Sequence, residues 1–553
     1  MTAEFKGTLG HRVFRAGITV AIAHALFKLA SLFQIMVLSR LIPAALYESV
    51  YAIAFEGCIF TLFLIGEEVI GPAFLPVFMR EKKDHGAGHA WAFANVILTI
   101  QALIVLLTVA ALVAFPDAIV RLMTAWSPEN APRQYGLTIR ALRWLAPAIF
   151  GLSMASTTYV LLNGYKRFFL AAFGDAVWRL CVMLCVGIGM GIFGFGIRSL
   201  FAGLLAGSAL KLLTHLVGLF RELRHVRWSL DIHHPAVRQM AMLALPLLAG
   251  ILFARFRDVF NNVYILSYLK TEGLIQANSI GRKLFQTIGF LIPYAFSIGM
   301  FPYLCEMSPD EQRERAGRLV TDVSRLLLSI FIPLSLVIGV MAYPLCGFLF
   351  GGGEFGPEAV RRTAWSTACY TLVLPAFSLE YLLMQAFFAQ RRMIAISVTG
   401  MVFVLVSIGI SAWGILFLGL QGMAALGVVA GGYVVSRTMK SLTLIILLKR
   451  HTIAFPLRET AVFLARTIAV GILTAIAVGI AIRLAPHVGS NPSASFNLLI
   501  QLILAAPVAG ITFLMASHWF RLREPFDMLH SATQWVRNRM KNRSQQPVNT
   551  GGT

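Results

Sequence analysis

The sequence predicts an all-α polytopic membrane protein with about fourteen transmembrane helices. Only 13% of the 553 residues are charged and 58% are hydrophobic, whereas soluble domains carry about 25% charged residues. Several apolar stretches exceed the roughly 20 residues that a helix needs to cross a bilayer core. Long uninterrupted apolar runs are typical of spanning helices and not of the alternating strands of a membrane barrel. These observations exclude a soluble globular fold.

Glycines, prolines and charged clusters divide the chain into predicted spans. The first apolar run, Ile18 to Ile42, is too long for the core of a signal peptide, so we predict a retained helix. The first eight spans are predicted at residues 16–42, 49–79, 90–115, 136–163, 168–193, 197–220, 239–268 and 274–302. The other six are predicted at residues 322–350, 363–389, 393–418, 421–448, 460–485 and 495–519. The boundary at residues 194–198 is weak, so twelve or thirteen spans are alternatives.

The basic residues occupy every second loop, as the positive-inside rule requires for loops that face the cytoplasm. These loops contain Arg80, Lys82 and Lys83; Lys166 and Arg167; Arg221, Arg224 and Arg227; Arg313, Arg315 and Arg318; Arg391 and Arg392; and Lys449, Arg450 and Arg458. We therefore expect a cytoplasmic N-terminal segment, residues 1–15, and a cytoplasmic basic tail, residues 520–553. Because the net charge of +22 is explained by these clusters, we do not expect nucleic acid as a partner.

Several predicted spans contain ionisable residues, which are costly in a bilayer and usually face a cavity or a partner. They include Lys28, Glu56, Asp175, Arg179, Arg255, Arg257, Asp258, Arg282, Lys283 and Glu380. Asp258 lies three residues after Arg255, and Arg179 lies four after Asp175, so each pair is expected to bond within its helix.

Four sequence motifs, in order along the chain, resemble the MurJ/MviN family. LIGEEVIGPAFLPVFMREK, residues 64–82, resembles a motif with a glutamate before small residues and A-F-x-P. LLNGYKRFFLAAF, residues 161–173, resembles L-N-x-x-x-R-F-x-x-P-A-F, with Ala171 in place of the proline. FLFGGGEF, residues 348–355, and LPAFSLEYLLMQAFFAQ, residues 374–390, resemble L-F-x-x-G-x-F and L-P-A-F…A-F-Y-A-R. The resemblance covers about residues 14–450.

The resemblance implies a fold and a function. The fold would have two six-helix bundles, residues 16–220 and 239–448, around a central cavity, and two additional helices within residues 460–519. The family belongs to a superfamily that exports drugs, lipid-linked oligosaccharides and polysaccharides. Its members move lipid II, the undecaprenyl-linked peptidoglycan precursor, across the bacterial inner membrane. The resemblance therefore implies a flippase of this membrane.

The family's cavity is known for arginines on helices 1, 2 and 8 and an aspartate at the start of helix 2. The corresponding positions here are Lys28, Gln34, Leu62, Lys283 and Ser49. Because lysine still binds phosphate as a point charge, we predict a cationic cavity for a pyrophosphate-linked headgroup. The predicted substrate-binding residues are Lys28, Arg255, Arg257, Arg282 and Lys283. Snorkelling or structural ion pairs are the alternative roles for these cations.

The second span and the residue just before it contain three acids for which we predict gate or coupling roles. Glu48 and Glu67 lie roughly 28 Å apart along a helix, at 1.5 Å per residue. We predict an outward gate near Glu48 and Lys283 and an inward gate near Glu67. Glu56 is a candidate for proton or cation coupling. The alternatives are solvated helix ends and packing beside a basic residue.

Other classes of function fit the sequence less well. Within transport, the alternatives are a Wzx-like flippase for an exopolysaccharide or O-antigen and a small-molecule antiporter. A membrane-embedded glycosyltransferase or polymerase would have large external loops, and a scaffold that has lost transport is a third class. We predict no enzyme activity, cofactor, metal site or disulfide. The expected partners are the lipid-linked glycan, membrane lipids and enzymes of cell-wall or polysaccharide synthesis.

Overall fold

The computed structural model describes residues 29–306, 312–390, 392–485 and 494–527, which form helices joined by short loops. The first eight helices are α1 (Leu29–Leu41), α2 (Ala44–Asp84), α3 (Ala87–Ala114), α4 (Pro116–Met123), α5 (Pro132–Leu145), α6 (Ala148–Gly164), α7 (Phe168–Gly191) and α8 (Ile197–Gly218). The next five are α9 (Pro235–Ser267), α10 (Leu274–Glu306), α11 (Gly317–Phe350), α12 (Pro357–Thr371) and α13 (Leu374–Ala389). The last four are α14 (Met393–Ala412), α15 (Gly422–Lys449), α16 (Leu457–Leu484) and α17 (Ala494–Trp519).

The prediction of a multi-pass helical membrane protein is confirmed. Nine helices of the described residues are long and apolar enough to cross a membrane, and eleven spans result if each of two bent pairs counts as one. The bent pairs are α5 with α6, at 50°, and α12 with α13, at 44°. Prolines stand at both bends, Pro147 and Pro375, because proline has no N–H with which to continue the helix. The count of fourteen stays a prediction.

Contacts divide the chain into two compact units. Unit 1 contains the described residues up to Leu291 together with Cys346–Tyr370 and Ser397–Ser436. Unit 2 contains Ile292–Leu345, Thr371–Ile396 and the described residues from Arg437 onward. The division of the sequence into bundles at residues 220 and 239 stays a prediction.

In unit 1, α7 and α8 approach each other closely through glycines of α8. A Cβ atom added at Gly203 would lie 2.9 Å from the Cβ of Cys185, and one added at Gly207 would lie 3.0 Å from Trp178. Spacing of four residues places both glycines on one helix face, so the backbones meet without intervening side chains. This contact fixes α7, whose Asp175 and Arg179 contribute to the site below.

We expect the Gly207→Leu variant to be destabilised by about 1–3 kcal/mol, because the new side chain would overpack the contact with Trp178. The midpoint of thermal unfolding of the detergent-solubilised protein measures this effect. Gly187→Leu on α7 is the matched control, since no atom of the described residues lies within 4 Å of a Cβ built there. Equal midpoints for the two variants would contradict the close packing of α7 and α8.

In unit 2, the two C-terminal helices pack on each other and on α11. Val337, Val478 and Ala505 form a buried cluster at this contact. Gly471 of α16 permits the approach, since a Cβ there would lie 3.2 Å from the Cα of Pro333. α11, α16 and α17 therefore share a small apolar core.

Candidate functional site

A cavity of about 680 Å³ lies within unit 1. Its walls come from α1, α2, α6, α7, α8, α9 and α10. The basic side chains that line it are Arg179, Lys211, Arg255, Arg282 and Lys283, and the acidic ones are Glu56, Glu67, Glu68, Asp175 and Asp258. Five positive and five negative charges give a formal sum of zero for the described part of the wall. The cavity therefore combines apolar surface with charged groups, and its cations are matched by acids.

Two π-helical segments border this cavity. Tyr47–Phe60 belongs to α2 and Phe260–Tyr264 belongs to α9. π-helical turns are rare and occur frequently at functional sites. The segment in α2 contains both Glu48 and Glu56, two of the predicted gate and coupling residues.

Glu56 and Lys283 form an ion pair that joins α2 to α10. About a fifth of each side chain is exposed, at 22% and 23%, so the pair faces the cavity. The Lys283 ammonium also lies 5.0 Å from the centre of the Tyr51 ring. Lys283, a predicted headgroup-binding residue, is therefore paired with Glu56, the candidate for proton or cation coupling.

Asp258 is the acid of a second cluster. It binds Arg257 at 2.8 Å and Arg282 at 3.2 Å. Arg257 is 7% exposed and does not reach the cavity wall; its guanidinium lies 5.3 Å from the centre of the Tyr433 ring. The expected pair of Arg255 with Asp258 is wrong. Arg255 bonds Glu68 of α2 instead, because the packing of α9 against α2 brings that carboxylate closer.

Lys211 of α8 is a buried cation that the sequence analysis missed. It is 4% exposed and binds Asp175 of α7 at 2.7 Å. The expected pair of Asp175 with Arg179 is therefore wrong, and Arg179 donates to the side-chain oxygen of Gln34 at 2.9 Å. A lysine inside the apolar span 197–220 was a signal that could have identified this residue.

Glu48 binds the start of α10. It is 1% exposed, and its carboxylate accepts hydrogen bonds from the backbone N–H groups of Ile275 and Gln276 at 2.9 and 3.1 Å. These groups belong to the first turn of the helix, where N–H groups have no partner in the helix and the dipole favours a negative charge. Lys283 pairs with Glu56 and not with Glu48.

A second contact joins the loop after α1 to the hairpin between α11 and α12. The Arg40 guanidinium donates to the carbonyl oxygen of Phe348 at 2.8 Å, and the Glu354 N–H donates to the carbonyl oxygen of Arg40 at 2.9 Å. Gly353 has a φ of +60°, and a Cβ there would lie 2.2 Å from the same Arg40 oxygen. Only glycine fits this contact without strain.

Glu67 and the positions that correspond to family arginines differ in their surroundings. Glu67 lines the cavity, and within the described part of the chain it makes no ion pair. Lys28 lies outside the described residues. Of the positions that correspond to family arginines, Gln34 is fully buried against Arg179 and Leu62 is 38% exposed. A guanidinium from α7 thus stands beside the α1 position where the family has an arginine.

The fold and this cavity define a multi-pass helical membrane protein with a charged internal site, the architecture of a membrane transporter. The family model described as "Lipid II flippase MurJ" matches residues 38–500. The chain belongs to the lipid II flippase MurJ family.

Individual proteins and solved structures are also similar to the chain. A protein of Rhizobium meliloti (strain 1021) named "Probable lipid II flippase MurJ" is 24% identical over 379 residues, which cover 66% of this chain and 69% of that protein. The solved structure "Lipid II flippase MurJ, inward closed conformation" matches with a TM-score of 0.69 and 18% identity, covering 91% of this chain and 99% of that one. An inward-facing multidrug resistance MATE family transporter of the MOP superfamily matches with a TM-score of 0.63 and 13% identity, covering 77% and 94%. These structures share the fold with the chain.

Proposed function

We propose that this protein carries lipid II, or a closely similar polyprenyl-pyrophosphate-linked glycan, across the bacterial inner membrane by alternating access. The observation that carries the proposal is the charged cavity of about 680 Å³ enclosed by membrane helices. A glycan linked to pyrophosphate is a large polar anion, and it needs such a water-like environment to cross the bilayer. The relatives named as lipid II flippases support lipid II over an O-antigen or exopolysaccharide unit.

The cations proposed to bind the pyrophosphate are Lys283, Arg282 and Arg255, with Arg257 behind them and Lys28 as a further candidate. Each of the three that line the cavity is paired with a carboxylate in this structure. An arriving pyrophosphate therefore competes with those acids for the same donors. Glu56 would lose Lys283 in this exchange and become an unpaired carboxylate within the membrane, which is unfavourable. A proton or a small cation taken up by Glu56 would remove that cost and couple transport to an ion gradient.

The proposed outward gate combines two contacts of unit 1. Glu48 holds the first turn of α10, and Arg40 holds the hairpin around Gly353. Each contact joins two segments that are far apart in sequence. A movement of one segment relative to the other can therefore break it. Glu67, on the opposite half of α2, is proposed as part of the inward gate. Alternating access requires contacts at one end to form while those at the other end break.

The cargo assignment is tested with the purified protein in proteoliposomes that contain labelled lipid II in one arm and an undecaprenyl-pyrophosphate-linked O-antigen unit in the other. We expect lipid II to become accessible to an added enzyme on the opposite face faster than in protein-free vesicles. Movement of the O-antigen unit alone would replace the proposed cargo by the Wzx-type alternative. Movement of neither lipid would contradict the flippase function.

The predicted orientation follows from the loop charges and has its own test. Reporter fusions at Met393, Leu420 and the C-terminus are expected to report the cytoplasm, the outside and the cytoplasm, respectively. The reason is that basic loops are retained on the cytoplasmic side during insertion. An outside signal at the C-terminus would contradict the fourteen-span prediction.

A further inference from the structure

The linker between α8 and α9, residues 219–234, carries an exposed apolar stripe. After the short 3₁₀ turn Leu223–His225, Val226 is extended, and residues 226–230 form neither helix nor turn. Alternate side chains face opposite ways in an extended segment. Those of one set are large, apolar and exposed. Their exposed fractions are 47% for Val226, 79% for Trp228 and 60% for Leu230, and Ile232, in the turn that follows, is 57% exposed. These four side chains are here called the linker stripe.

The linker is bound along the side of α3. The His225 ring stacks on Trp91 with centroids 5.8 Å apart. The Asn95 amide donates to the His225 carbonyl at 2.8 Å and accepts from the Arg227 N–H at 3.1 Å. Thr99 then accepts from the Ser229 N–H at 3.1 Å. Successive anchors on α3 bind successive parts of the linker, so the segment runs along the helix axis and not across its end.

These anchors place the linker stripe at the depth of the membrane. Asn95 and Thr99 lie eight and twelve residues after the start of α3, which is roughly 12 and 18 Å along the axis. α3 has 28 residues, about 42 Å, so a hydrocarbon core of about 30 Å centred on it begins roughly 6 Å from its first residue. The segment from Arg227 to Ser229 therefore lies inside the core boundary.

The hydrogen bonds of the linker fit this placement. Non-helical backbone at membrane depth is tolerated only where the protein satisfies its polar groups. Asn95 and Thr99 do this for the side of the linker that faces α3, and both are buried beneath it. Arg221, Arg224 and Arg227 are exposed around the stripe, where their side chains can reach phosphate groups. Tryptophan beside arginine is typical of the membrane interface.

We propose that the linker stripe inserts into the membrane leaflet on its side, with the arginines bound to anionic lipid phosphates. On the predicted topology this is the cytoplasmic leaflet. The stripe is a lipid-binding surface separate from the cavity, and it holds the start of α9 at a set depth. The partner is the bilayer itself because the anchors align the stripe with α3, a helix that is long and apolar enough to cross it.

The test uses the full-length protein in nanodiscs that contain phosphatidylcholine brominated on its acyl chains. The contribution of Trp228 is the fluorescence of the unmodified protein minus the fluorescence of the Trp228→Phe variant. We expect brominated lipid to quench this difference and aqueous iodide to leave it unchanged. Quenching by iodide and not by brominated lipid would overturn the proposal and leave a protein partner as the occupant of the stripe.

Two further measurements test the anchors and the arginines. Thr99→Val removes the acceptor for Ser229, so iodide should gain access to Trp228. Thr108→Val is the matched control, since the Thr108 hydroxyl bonds to the Ile104 carbonyl of α3 itself. Phosphatidylglycerol should increase the lipid quenching in the unmodified protein but not in the Arg221→Gln/Arg224→Gln variant. Equal behaviour of the two proteins would overturn the role of the arginines.

Discussion

The Lys283→Met variant is expected to lose lipid II transport. Lys283 faces the cavity from α10 and is held by Glu56. A charge-assisted hydrogen bond contributes about 1.5–3 kcal/mol, so its loss should weaken cargo binding roughly 10- to 100-fold. The measurements are lipid II binding to the purified protein and complementation of a flippase-depleted strain.

The same substitution also leaves Glu56 without its partner, and a paired control separates the two effects. Removing one member of a fully buried pair costs about 3–5 kcal/mol, and less is expected here because a fifth of each side chain is exposed. The Glu56→Gln/Lys283→Met double variant removes both charges and should recover much of the lost stability. We expect its membrane level to return and its transport to stay absent. Recovery of transport by the double variant would show that the pair is only structural.

The Gly353→Val variant is expected to fail to close the proposed outward gate. Its Cβ would clash with the Arg40 carbonyl oxygen, and a residue other than glycine at a φ of +60° costs a further 1–2 kcal/mol, approximately. The cavity should therefore stay open to the outside. Transport should be lost because the protein cannot return to the inward-facing state. Labelling of Ser279→Cys, a cavity position, by an impermeant thiol reagent in a background without the native cysteines measures this opening.

Gly356→Val supplies the matched control for the gate. Gly356 follows the same hairpin and has no positive φ, and within the described part of the chain no atom lies within 4 Å of a Cβ built there. This variant should label and transport as the unmodified protein does. If Gly353→Val shows the same labelling as Gly356→Val and also transports, the contact at Arg40 is not a gate.

The positions of the helices could be predicted from the sequence, because whether a segment forms a spanning helix depends on its own residues. A run of apolar residues forms a helix in the membrane wherever its neighbours lie, since every backbone group is satisfied within the helix. The predicted spans therefore coincide with helices in the described residues, whereas the bends at Pro147 and Pro375 are seen only in the structure. The family motifs were also local, and the match over residues 38–500 confirmed the resemblance.

The candidate residues of the site were predictable for a related reason. A charge within an apolar span requires a partner or a cavity, whatever the fold. Of the residues selected on this ground, Arg255, Arg282, Lys283, Glu56 and Glu67 line the cavity. Arg257 was selected in the same way but does not line it, and Lys28 lies outside the described residues. Lys211 also lies within a predicted apolar span, so the same criterion applied to it although it was not selected.

Only the tertiary structure decided which partners those charges take. Spacing within a helix favoured Arg255 with Asp258 and Asp175 with Arg179, but packing between helices gave the bonds to Glu68 and Lys211. A neighbour three or four residues away contributes only about 0.2–0.5 kcal/mol as an exposed pair. Packing brings Glu68 and Asp175 within bonding distance of cations that are largely buried, where water screens the attraction less than it does at an exposed surface. Glu48 shows the same effect, since its partners are backbone groups more than two hundred residues away that become available only when α10 begins beside it.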